Sequence, residues 1–371
     1  MVKIKEVQSA KDLKAFVELP YKLYKNDPNW IPPVKKSEYE FWTRHPGLKK
    51  NTVKLFLAKK NFKTVGRLAL IINHTYNRLH NARTARFFAF EAVDDKKVID
   101  KLFERAEQTA RELGMNRIHG PLGFNNLDHQ GMQVEGFQWP QALVSVYNFP
   151  YYKDHMERMG YEKEIDWVEN RIRLTDRAVK RGESGAKIIA KRFGIKAWQP
   201  KTKKEFEEVA DDLFDLYNEA YRHLPYMVPL DKDDIAFYKK SYMQILLPKW
   251  AFFAREKNNP KPVGFLLGIP SLGDALRKAR GKLFPFGFYH IWKALRNPKE
   301  LDLAIIGAKP EYDNKGVAVA IFDALHKQML KHGIHTFETG GVFETNLPVL
   351  TNWKNYDAVQ HKRKRVYGKD L

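Results

Sequence analysis

Residues 301–346 read LDLAIIGAKPEYDNKGVAVAIFDALHKQMLKHGIHTFETGGVFETN and carry the clearest local pattern in the chain. Residues 301–308 form a short apolar run, which is typical of a buried strand. A turn-rich segment then leads at Gly316 into apolar residues at helical spacing, which end at Gly333. Residues 334–337 are again strand-like. The stretch predicts a β-α-β unit whose loop opens onto a helix N-terminus, where free N–H groups and the helix dipole attract anions.

The composition is that of a folded globular protein. The chain has 371 residues, 43% of them hydrophobic and 13% aromatic, which is enough for two domains with their own cores. It contains no cysteine, so disulfides, thiolate metal sites and a cysteine nucleophile are excluded. The first residues lack the apolar core of a signal peptide, and no apolar run has the length of a membrane span. We therefore expect a cytoplasmic protein.

The net charge is strongly positive, at +21. Such a charge suits a polyanionic partner, which would be nucleic acid, an anionic membrane surface or a phosphate-bearing cofactor. The alternative is a basic, solvated surface with no dedicated partner. Because the charges are spread along the chain, they do not choose among these partners.

The two halves of the chain repeat one order of elements. Residues 55–60 (LFLAKK) and 65–67 (VGR) are similar to 251–256 (AFFARE) and 263–265 (VGF). In each half a hairpin precedes a strand, a long helix and a second strand, which predicts a mixed sheet with helices on both faces. A polar segment with two glycines separates the halves. We predict domains at 1–175 and 187–371, a linker at 176–186, and a strand over 188–198.

The second half resembles the GNAT (Gcn5-related N-acetyltransferase) superfamily. Residues that fall on the phosphate loop of that family are Pro310, Tyr312, Gly316 and Ala318. Residues 344–346 (ETN) resemble the Glu-x-Asn element after the fifth strand, and residues 365–367 (RVY) resemble the closing strand. The first half, with 19–21 (LPY) and 27–30 (DPNW), is similar to a subgroup of large bacterial two-domain proteins of this kind. The resemblance covers nearly the whole chain and implies an α/β fold of two tandem GNAT-like acyl-CoA N-acyltransferase domains.

The resemblance implies an acyl-CoA-dependent N-acyltransferase, which moves an acetyl or longer acyl group to an amine by direct attack. The co-substrate would be acetyl-CoA or a longer acyl-CoA, and the chemistry needs no metal. The residues implied to bind it are Gly307, Ala308, Lys309, Asn314, Lys315, Gly316, Val317, Ala318 and Asn346. The histidines lack metal-ligand spacing with carboxylates.

The phosphate loop departs from the family pattern at Asp313, where the family usually has Arg or Gln. An acid beside a pyrophosphate is unfavourable unless it points away to cap the helix, and Lys309 and Lys315 would supply the missing positive charge. The alternative is an ordinary strand-to-helix loop. The matching position in the first half, 91–98 (EAVDDKKV), has three acids and no glycine. We expect that half to support the second one and to wall an acceptor cleft.

Direct attack requires a base for the amine and an N–H donor for the oxyanion. The candidate bases are Asp302 and Glu344, and the candidate donors are the N–H groups of Gly307 and Ala308. Trp353 stands near the place of the tyrosine that reprotonates the thiolate in this family, and Tyr356 lies one helical turn further on. The alternative interpretations are an exposed strand-end acid for Asp302 and a packing role for Tyr356.

Residues 271–293 form an insertion in which basic residues flank an aromatic run. Such a segment suits contact with a membrane through 277–293, or a channel for a long-chain amine of the sphingoid type. A lid packed on the core is the alternative. A different class of function is a non-catalytic binding module for RNA or an anionic membrane, although no RNA-binding motif is present. A transferase that uses aminoacyl-tRNA would also suit the charge.

Overall fold

The computed structural model describes residues 1–243 and 245–371, and every side chain in them except that of Pro348. The strands form one mixed sheet that runs through both halves of the chain. None of the helices in these ranges is long and apolar enough to cross a membrane.

The first half contains seven strands and six α-helices within residues 1–174. They are β1 (Val2–Glu6), α1 (Ala10–Leu23), α2 (Lys35–Arg44), α3 (Gly47–Lys50), β2 (Thr52–Lys60), β3 (Lys63–Ile72), α4 (His74–Leu79), β4 (Thr84–Ala92), α5 (Lys96–Glu112), β5 (Arg117–Gly120), β6 (Met132–Glu135), α6 (Tyr151–Arg158) and β7 (Glu162–Arg173).

The second half repeats the hairpin and the strand-helix-strand unit. Its elements are α7 (Asp176–Phe193), β8 (Ile195–Trp198), α8 (Lys203–Tyr221), α9 (Lys232–Tyr242), β9 (Ala251–Glu256), β10 (Pro262–Pro270), α10 (Gly273–Ala279), α11 (Gly287–Arg296), β11 (Leu301–Ala308), α12 (Val317–Lys331), β12 (Thr336–Thr339), β13 (Val342–Phe343), α13 (Leu347–Thr351) and β14 (Asp357–Asp370). In both halves two parallel strands are joined by a long helix: β4 and β5 by α5, and β11 and β12 by α12. The predicted mixed α/β architecture with tandem repeats is confirmed.

The two halves exchange strands at the centre of the sheet. The strand order is β1-β2-β3-β4-β5-β14-β7-β12-β11-β10-β9-β8, with β6 beside β14 and β13 beside β7. The C-terminal strand β14 therefore lies between β5 and β7, which both belong to the first half. Strand β7 in turn pairs with β12 of the second half. Each half thus completes the sheet of the other, and the boundaries at 175 and 187 stay a prediction.

The segment 176–186, predicted to be a linker, lies in the helix α7. Thr175 caps this helix by accepting a hydrogen bond from the N–H of Ala178 at 3.1 Å. Its glycines face α12: a Cβ on Gly185 would lie 2.8 Å from Val319 Cγ1. The halves are therefore joined by a packed helix, in which glycine permits close helix contact. The strand prediction for 188–193 is wrong, because α7 continues through Phe193.

Helices cover both faces of the sheet. In the second half, α12 packs on one face together with Phe252, while α8 and α9 pack on the other face together with Phe253. Neighbouring residues of a strand point to opposite faces, so the alternating apolar residues of β9 and β10 serve both cores. In the first half α5 and α1 cover the corresponding faces.

Candidate active site

Strands β11 and β12 separate shortly after they begin to pair. Their parallel register runs from Leu301 beside Phe337 to Leu303 beside Thr339. The N–H of Gly340 then donates to the Leu303 carbonyl at 3.0 Å, and β12 ends. β11 continues to Ala308, where it pairs with β10 alone among the described strands. The wedge between the two strands leaves one edge of 304–308 available to a ligand that offers amide groups.

The predicted phosphate loop lies at the open end of this wedge. A 3-10 turn, Pro310–Tyr312, follows β11, and two residues then take the left-handed conformation, Asn314 at φ 62° and Gly316 at φ 76°. α12 begins at Val317, and no side chain of the described residues caps its N-terminus. Asp313 thus does not cap the helix, and its side chain is exposed. The N–H groups of the first helical turn remain available to an anion.

The two lysines of the loop have different surroundings. Lys309 forms ion pairs with Glu219 at 3.3 Å and Glu311 at 3.8 Å. The ammonium of Lys315 lies 4.6 Å from the centre of the Tyr312 ring and forms no ion pair with a described residue. A phosphate could therefore bind Lys315 without competition from a carboxylate, whereas at Lys309 it would compete with Glu219 and Glu311.

Gly316 meets two constraints at once. Its φ of 76° favours glycine, and a Cβ on it would lie 2.2 Å from Ile189 Cδ1 of α7. A substitution there would strain the loop and push α7 away. A variant at Gly316, such as Gly316→Trp, would therefore disturb the fold as well as any ligand site. Lys315 is the better position at which to test ligand binding.

Asp302 lies at the closed end of the wedge and is buried, with 1% of its surface exposed. The alternative of an exposed strand-end acid is therefore wrong. Its Oδ2 accepts a hydrogen bond from the N–H of Leu143 at 3.0 Å. Burial raises the pKa of Asp302 to about 7; the Leu143 N–H opposes the rise, and the negative charge of Glu338 adds to it. A carboxyl group with such a pKa exchanges protons near neutral pH.

Glu338 is the functional candidate that the sequence pattern did not single out. It lies on β12 directly beside Asp302 and accepts hydrogen bonds from Arg171 at 2.8 Å and His361 Nε2 at 3.2 Å. Burial acts to raise the pKa of Glu338, but the His361 hydrogen bond and the nearby charge of Lys362 lower it to about 2. Of the two neighbouring acids, Glu338 therefore has the lower pKa and Asp302 has the higher one, near neutral pH.

The basic side chains around Glu338 come from two strands. Arg171 lies on β7 and also contacts Glu300, while His361 and Lys362 lie on β14. The Lys362 ammonium is buried, 3.6 Å from Glu338, and has no hydrogen-bond partner among the described residues. The signal in the sequence was Glu338 itself, an acid at an inward position of the short strand 336–339 (TFET). Its partners lie up to 167 residues away, so the sequence pattern did not connect them to it.

Glu344, the second predicted base, is remote from Asp302. It forms ion pairs with Lys163 and with Arg363, the latter at 2.7 Å. Its N–H donates to Asp166 of β7, whereas Glu338 pairs with Arg171 of the same strand. Five residues of extended chain separate these positions, or about 16 Å. The structure does not bring the two candidate bases together.

Tyr356 lies on the α12 face of the sheet. Its hydroxyl is 3.1 Å from His326 Nε2, and burial raises the pKa of Tyr356 to about 12. The ring packs on Phe337, whose neighbour Glu338 points to the opposite face together with Asp302. The predicted acid and base thus lie on different faces.

The remaining predicted residues lie at the open end of the wedge or beyond it. Gly307 and Ala308 form the end of β11, about 16 Å along the strand from Asp302. A Cβ on Gly307 would meet the Phe265 ring at 2.9 Å, so the glycine permits close packing. Asn346 caps α13 by accepting from the N–H of Val349 at 3.4 Å.

The corresponding wedge in the first half is filled by the protein itself. The pairing of β4 with β5 runs from Thr84 beside Arg117 to Arg86 beside His119 and goes no further. The buried Arg86 guanidinium donates to the carbonyls of Gly123 at 2.9 Å and Tyr226 at 3.1 Å. The helix that follows, α5, is capped by Asp95, which accepts from the N–H of Lys97 at 2.9 Å. A carboxylate therefore occupies the end of α5 that is open in α12.

Two shallow cavities lie elsewhere. One of about 150 Å³ borders Thr175 and Leu330, and one of about 210 Å³ borders Glu107 and Lys369. Neither includes the phosphate loop or Asp302. Within residues 1–243 and 245–371, no group of His, Asp or Glu side chains is arranged to hold a metal ion.

Comparisons with known proteins agree with a fold that spans the whole chain. No protein-family model matches the sequence. Protein YghO from Escherichia coli (strain K12) is 27% identical over 372 residues, which cover 97% of this chain and 93% of YghO. A bacterial ceramide synthase from Caulobacter vibrioides (strain NA1000 / CB15N) is 23% identical over 381 residues, which cover 98% of this chain and 96% of that protein.

Among solved structures, a tandem GNAT protein from the clavulanic acid biosynthesis pathway matches this chain along its full length. The match covers 98% of that protein, with a TM-score of 0.57 and 12% identity. The resemblance drawn from residues 301–346 is confirmed at the level of the fold: the chain has a tandem GNAT-like architecture.

Proposed function

We propose that this chain, which has the tandem GNAT-like fold, transfers an acyl group from acyl-CoA to an amine through its second half. The observation that carries the proposal is the wedge between β11 and β12. It has an uncapped helix N-terminus at its open end and, at its closed end, the buried carboxyl group of Asp302. The fold and the Caulobacter relative support acyl transfer in general.

Acyl-CoA fits the residues of the wedge. Its phosphates would meet the N–H groups of Val317 and Ala318 and the ammonium of Lys315. Its pantetheine amides would pair with the free edge of 304–308, as a further strand pairs with a sheet edge. One carbonyl of this stretch is already engaged, because the Tyr221 hydroxyl donates to Ile306 at 2.8 Å. The pantetheine would therefore use the remaining groups.

The chemistry requires the amine to lose one proton as its nitrogen attacks the thioester carbonyl. The new C–N bond forms, the C–S bond breaks, and the CoA thiolate takes up a proton. We assign the first proton to Asp302, because its pKa of about 7 matches the task, rather than to Glu344, which is held between two cations. With Asp302 as the base, Gly307 and Ala308 lie about 16 Å or more away along β11 and Tyr356 lies on the opposite face of the sheet, so we assign neither the oxyanion nor the second proton to these residues.

For the acceptor we propose a long-chain amine of the sphingoid type. The Caulobacter relative is a bacterial ceramide synthase, and the match covers nearly all of both chains. The basic-aromatic segment 277–293 offers an apolar approach on this side of the molecule. Among acyl donors, a long-chain acyl-CoA then becomes the preferred substrate over acetyl-CoA.

The first experiment measures ligand binding by thermal unfolding. We expect millimolar CoA to raise the Tm, because a ligand at about 100 times its Kd stabilises the native state by about 2.7 kcal/mol. Lys315→Ala should reduce the shift. Lys331→Ala, at the far end of the same helix, is the matched control and should leave it unchanged.

The second experiment follows amide formation by mass spectrometry with sphinganine and a long-chain acyl-CoA. Wild-type protein should release free CoA and form the amide in equal amounts, and Asp302→Asn should form little of either. If CoA and acyl-CoA leave the Tm unchanged and no amide forms, the proposed function is wrong.

A further inference from the structure

The helical hairpin formed by α10 and α11 exposes a group of aromatic side chains. The exposed fractions are 77% for Phe284, 71% for Phe286, 53% for Phe288, 47% for Tyr289 and 52% for Trp292. Four of the rings form two pairs, with Phe284 and Phe288 centred 5.9 Å apart and Tyr289 and Trp292 centred 6.1 Å apart. A cluster of this kind is unusual on the free surface of a soluble domain.

Cations flank these rings on both sides. Residues 275–299 contain seven lysines and arginines and no acidic residue: Arg277, Lys278, Arg280, Lys282, Lys293, Arg296 and Lys299. Within the described residues only Arg277 forms an ion pair, with Asp274 at 2.8 Å. The aromatic run 284–292 contains no lysine or arginine, so the basic residues flank the rings on both sides along the chain, and the Arg296 guanidinium lies 5.3 Å from the centre of the Trp292 ring. We call the exposed side of 277–296 the hairpin surface.

The inner side of the hairpin is anchored to the body of the protein. Ile291 and Leu295 pack with Ile31, Leu272 and Leu276 in a small apolar cluster. The exposed rings are therefore not needed to hold the hairpin in place. Their removal should leave the fold intact.

We propose that the hairpin surface binds an anionic lipid bilayer. Aromatic rings favour the boundary between headgroups and acyl chains, and lysine and arginine side chains reach anionic headgroups from just outside it. A second copy of this chain would bring two such sets of cations together across a two-fold axis, where they would repel each other. An anionic bilayer offers an apolar boundary region to the aromatic rings and negatively charged headgroups to the unpaired cations.

The hairpin surface is connected to the wedge through Leu143. Leu143 packs against the same apolar cluster as Ile291 and Leu295 of α11, and its N–H donates to Asp302. A long-chain amine that leaves the bilayer at the hairpin would thus reach the side of the molecule that carries Asp302. This connection rests on the proposed function, whereas bilayer binding itself does not.

Vesicle flotation tests the proposal with the full chain and no acyl-CoA. We expect binding to vesicles of phosphatidylglycerol and phosphatidylcholine that is weaker with phosphatidylcholine alone and falls with salt. Each cation near an anionic surface contributes about a fivefold gain in affinity, so Lys278→Ala, Arg280→Ala and Lys282→Ala together should lower it about 100-fold. A combined Phe284→Ser, Phe286→Ser and Trp292→Ser variant should also lose binding.

The control is Phe62→Ser, since Phe62 is fully exposed on the β2–β3 turn far along the chain from the hairpin. It should bind as wild type does, and all variants should keep the wild-type Tm. The proposal is overturned if wild type ignores anionic vesicles or if both triple variants bind them normally. It is also overturned if the wild type self-associates or binds RNA and the serine variant loses that property instead of vesicle binding. CoA binding is measured separately, by the rise in Tm. If the protein does not bind vesicles but CoA still raises its Tm, only the proposal of bilayer binding is rejected.

Discussion

At the scale of single residues, the candidate site depends on two adjacent carboxyl groups in different environments. Asp302 and Glu338 are partners on parallel strands, and both are buried. Three basic side chains surround Glu338 and keep it charged, whereas Asp302 has one backbone N–H donor. Pairs of acids whose pKa values are pushed apart in this way are typical of sites that move protons.

Asp302→Asn should remove the pH dependence of acyl transfer. We expect the wild-type kcat/KM to rise with pH through about 7, since Asp302 must be deprotonated to accept a proton from the amine. The variant should lose this inflection and about 100-fold to 10,000-fold of the rate. The measurement is a pH–rate profile with a saturating acyl donor.

The control for this profile is Glu344→Gln, which removes the acid that pairs with Lys163 and Arg363. It should keep the inflection near pH 7. Full activity of Asp302→Asn, or loss of the inflection in Glu344→Gln alone, would reverse the assignment of the base.

The same pKa predicts how stability changes with pH. The pKa of Asp302 is raised in the folded state, so its contribution to stability is present below pH 4 and is lost as the pH rises through 7. The amide that replaces this carboxyl group in Asp302→Asn does not titrate. The free energy of unfolding of the variant relative to wild type should therefore increase between pH 5 and pH 8, by up to roughly 3 kcal/mol. Urea unfolding at the two pH values measures this.

Asp357→Asn, at an exposed position of β14, is the comparison for the stability experiment. It should give the same difference from wild type at both pH values. A difference for Asp302→Asn that is independent of pH would show that the carboxyl group keeps an ordinary pKa in the folded protein.

At the scale of elements, the two repeats have diverged at the start of their long helices. Asp95 caps α5 and Arg86 fills the wedge beside it, whereas α12 begins without a cap beside an open wedge. The sequence predicted this difference from the acids at 91–98 and the glycine at 316. It did not predict Arg86, because one arginine in an apolar strand gives no sign of the carbonyls that it meets.

The contact between α7 and α12 offers a test at this scale. A Cβ at Gly182 would lie 3.4 Å from His326 Nδ1, which is an ordinary contact, while a Cβ at Gly185 would lie 2.8 Å from Val319 Cγ1. Glycine within a helix costs about 1 kcal/mol relative to alanine. Gly182→Ala should therefore stabilise the protein by up to about 1 kcal/mol, and Gly185→Ala should destabilise it by about 1 to 3 kcal/mol through overpacking.

Val319→Ala supplies the control, because it removes the methyl group that the new Cβ of Gly185→Ala would meet. In that background Gly185→Ala should become neutral or stabilising, as measured by urea unfolding in a double-mutant cycle. Equal effects of Gly185→Ala in both backgrounds would show that the two helices do not pack through these positions.

Local periodicity predicted most elements of the fold because it depends on neighbouring residues. The strand at 301–308, the helix that follows Gly316 and the hairpins agree with the structure. The linker expected at 176–186 lies in a helix, because its glycines serve a helix contact, and the strand expected over 188–193 is wrong because the same helix continues through these residues. The candidate site was predicted in part: Asp302 was selected on the motif, but Glu338 and its cations come from β7, β12 and β14, which only the folded sheet brings together.

At the scale of the whole molecule, the exchange of β7 and β14 makes the sheet a shared structure. Ile172 and Leu174 of the first half belong to the core under α12, and Tyr367 of the last strand is buried among first-half residues. The wedge that carries Asp302 therefore depends on a strand from the first half. That half contributes more than a wall for the acceptor.

Neither half should fold alone. The fragment 175–371 lacks β7, which would leave the edges of β12 and β14 unpaired, and the fragment 1–174 lacks β14 between β5 and β7. Unpaired edges and missing core residues favour aggregation. We expect each fragment to lack a cooperative thermal transition. Co-expressed fragments should form a 1:1 complex, detected by size-exclusion chromatography and near-ultraviolet circular dichroism, because the cut before α7 leaves every strand intact. A monodisperse 175–371 fragment that unfolds cooperatively and binds CoA would show instead that the second half is an independent domain, with β7 as a replaceable neighbour.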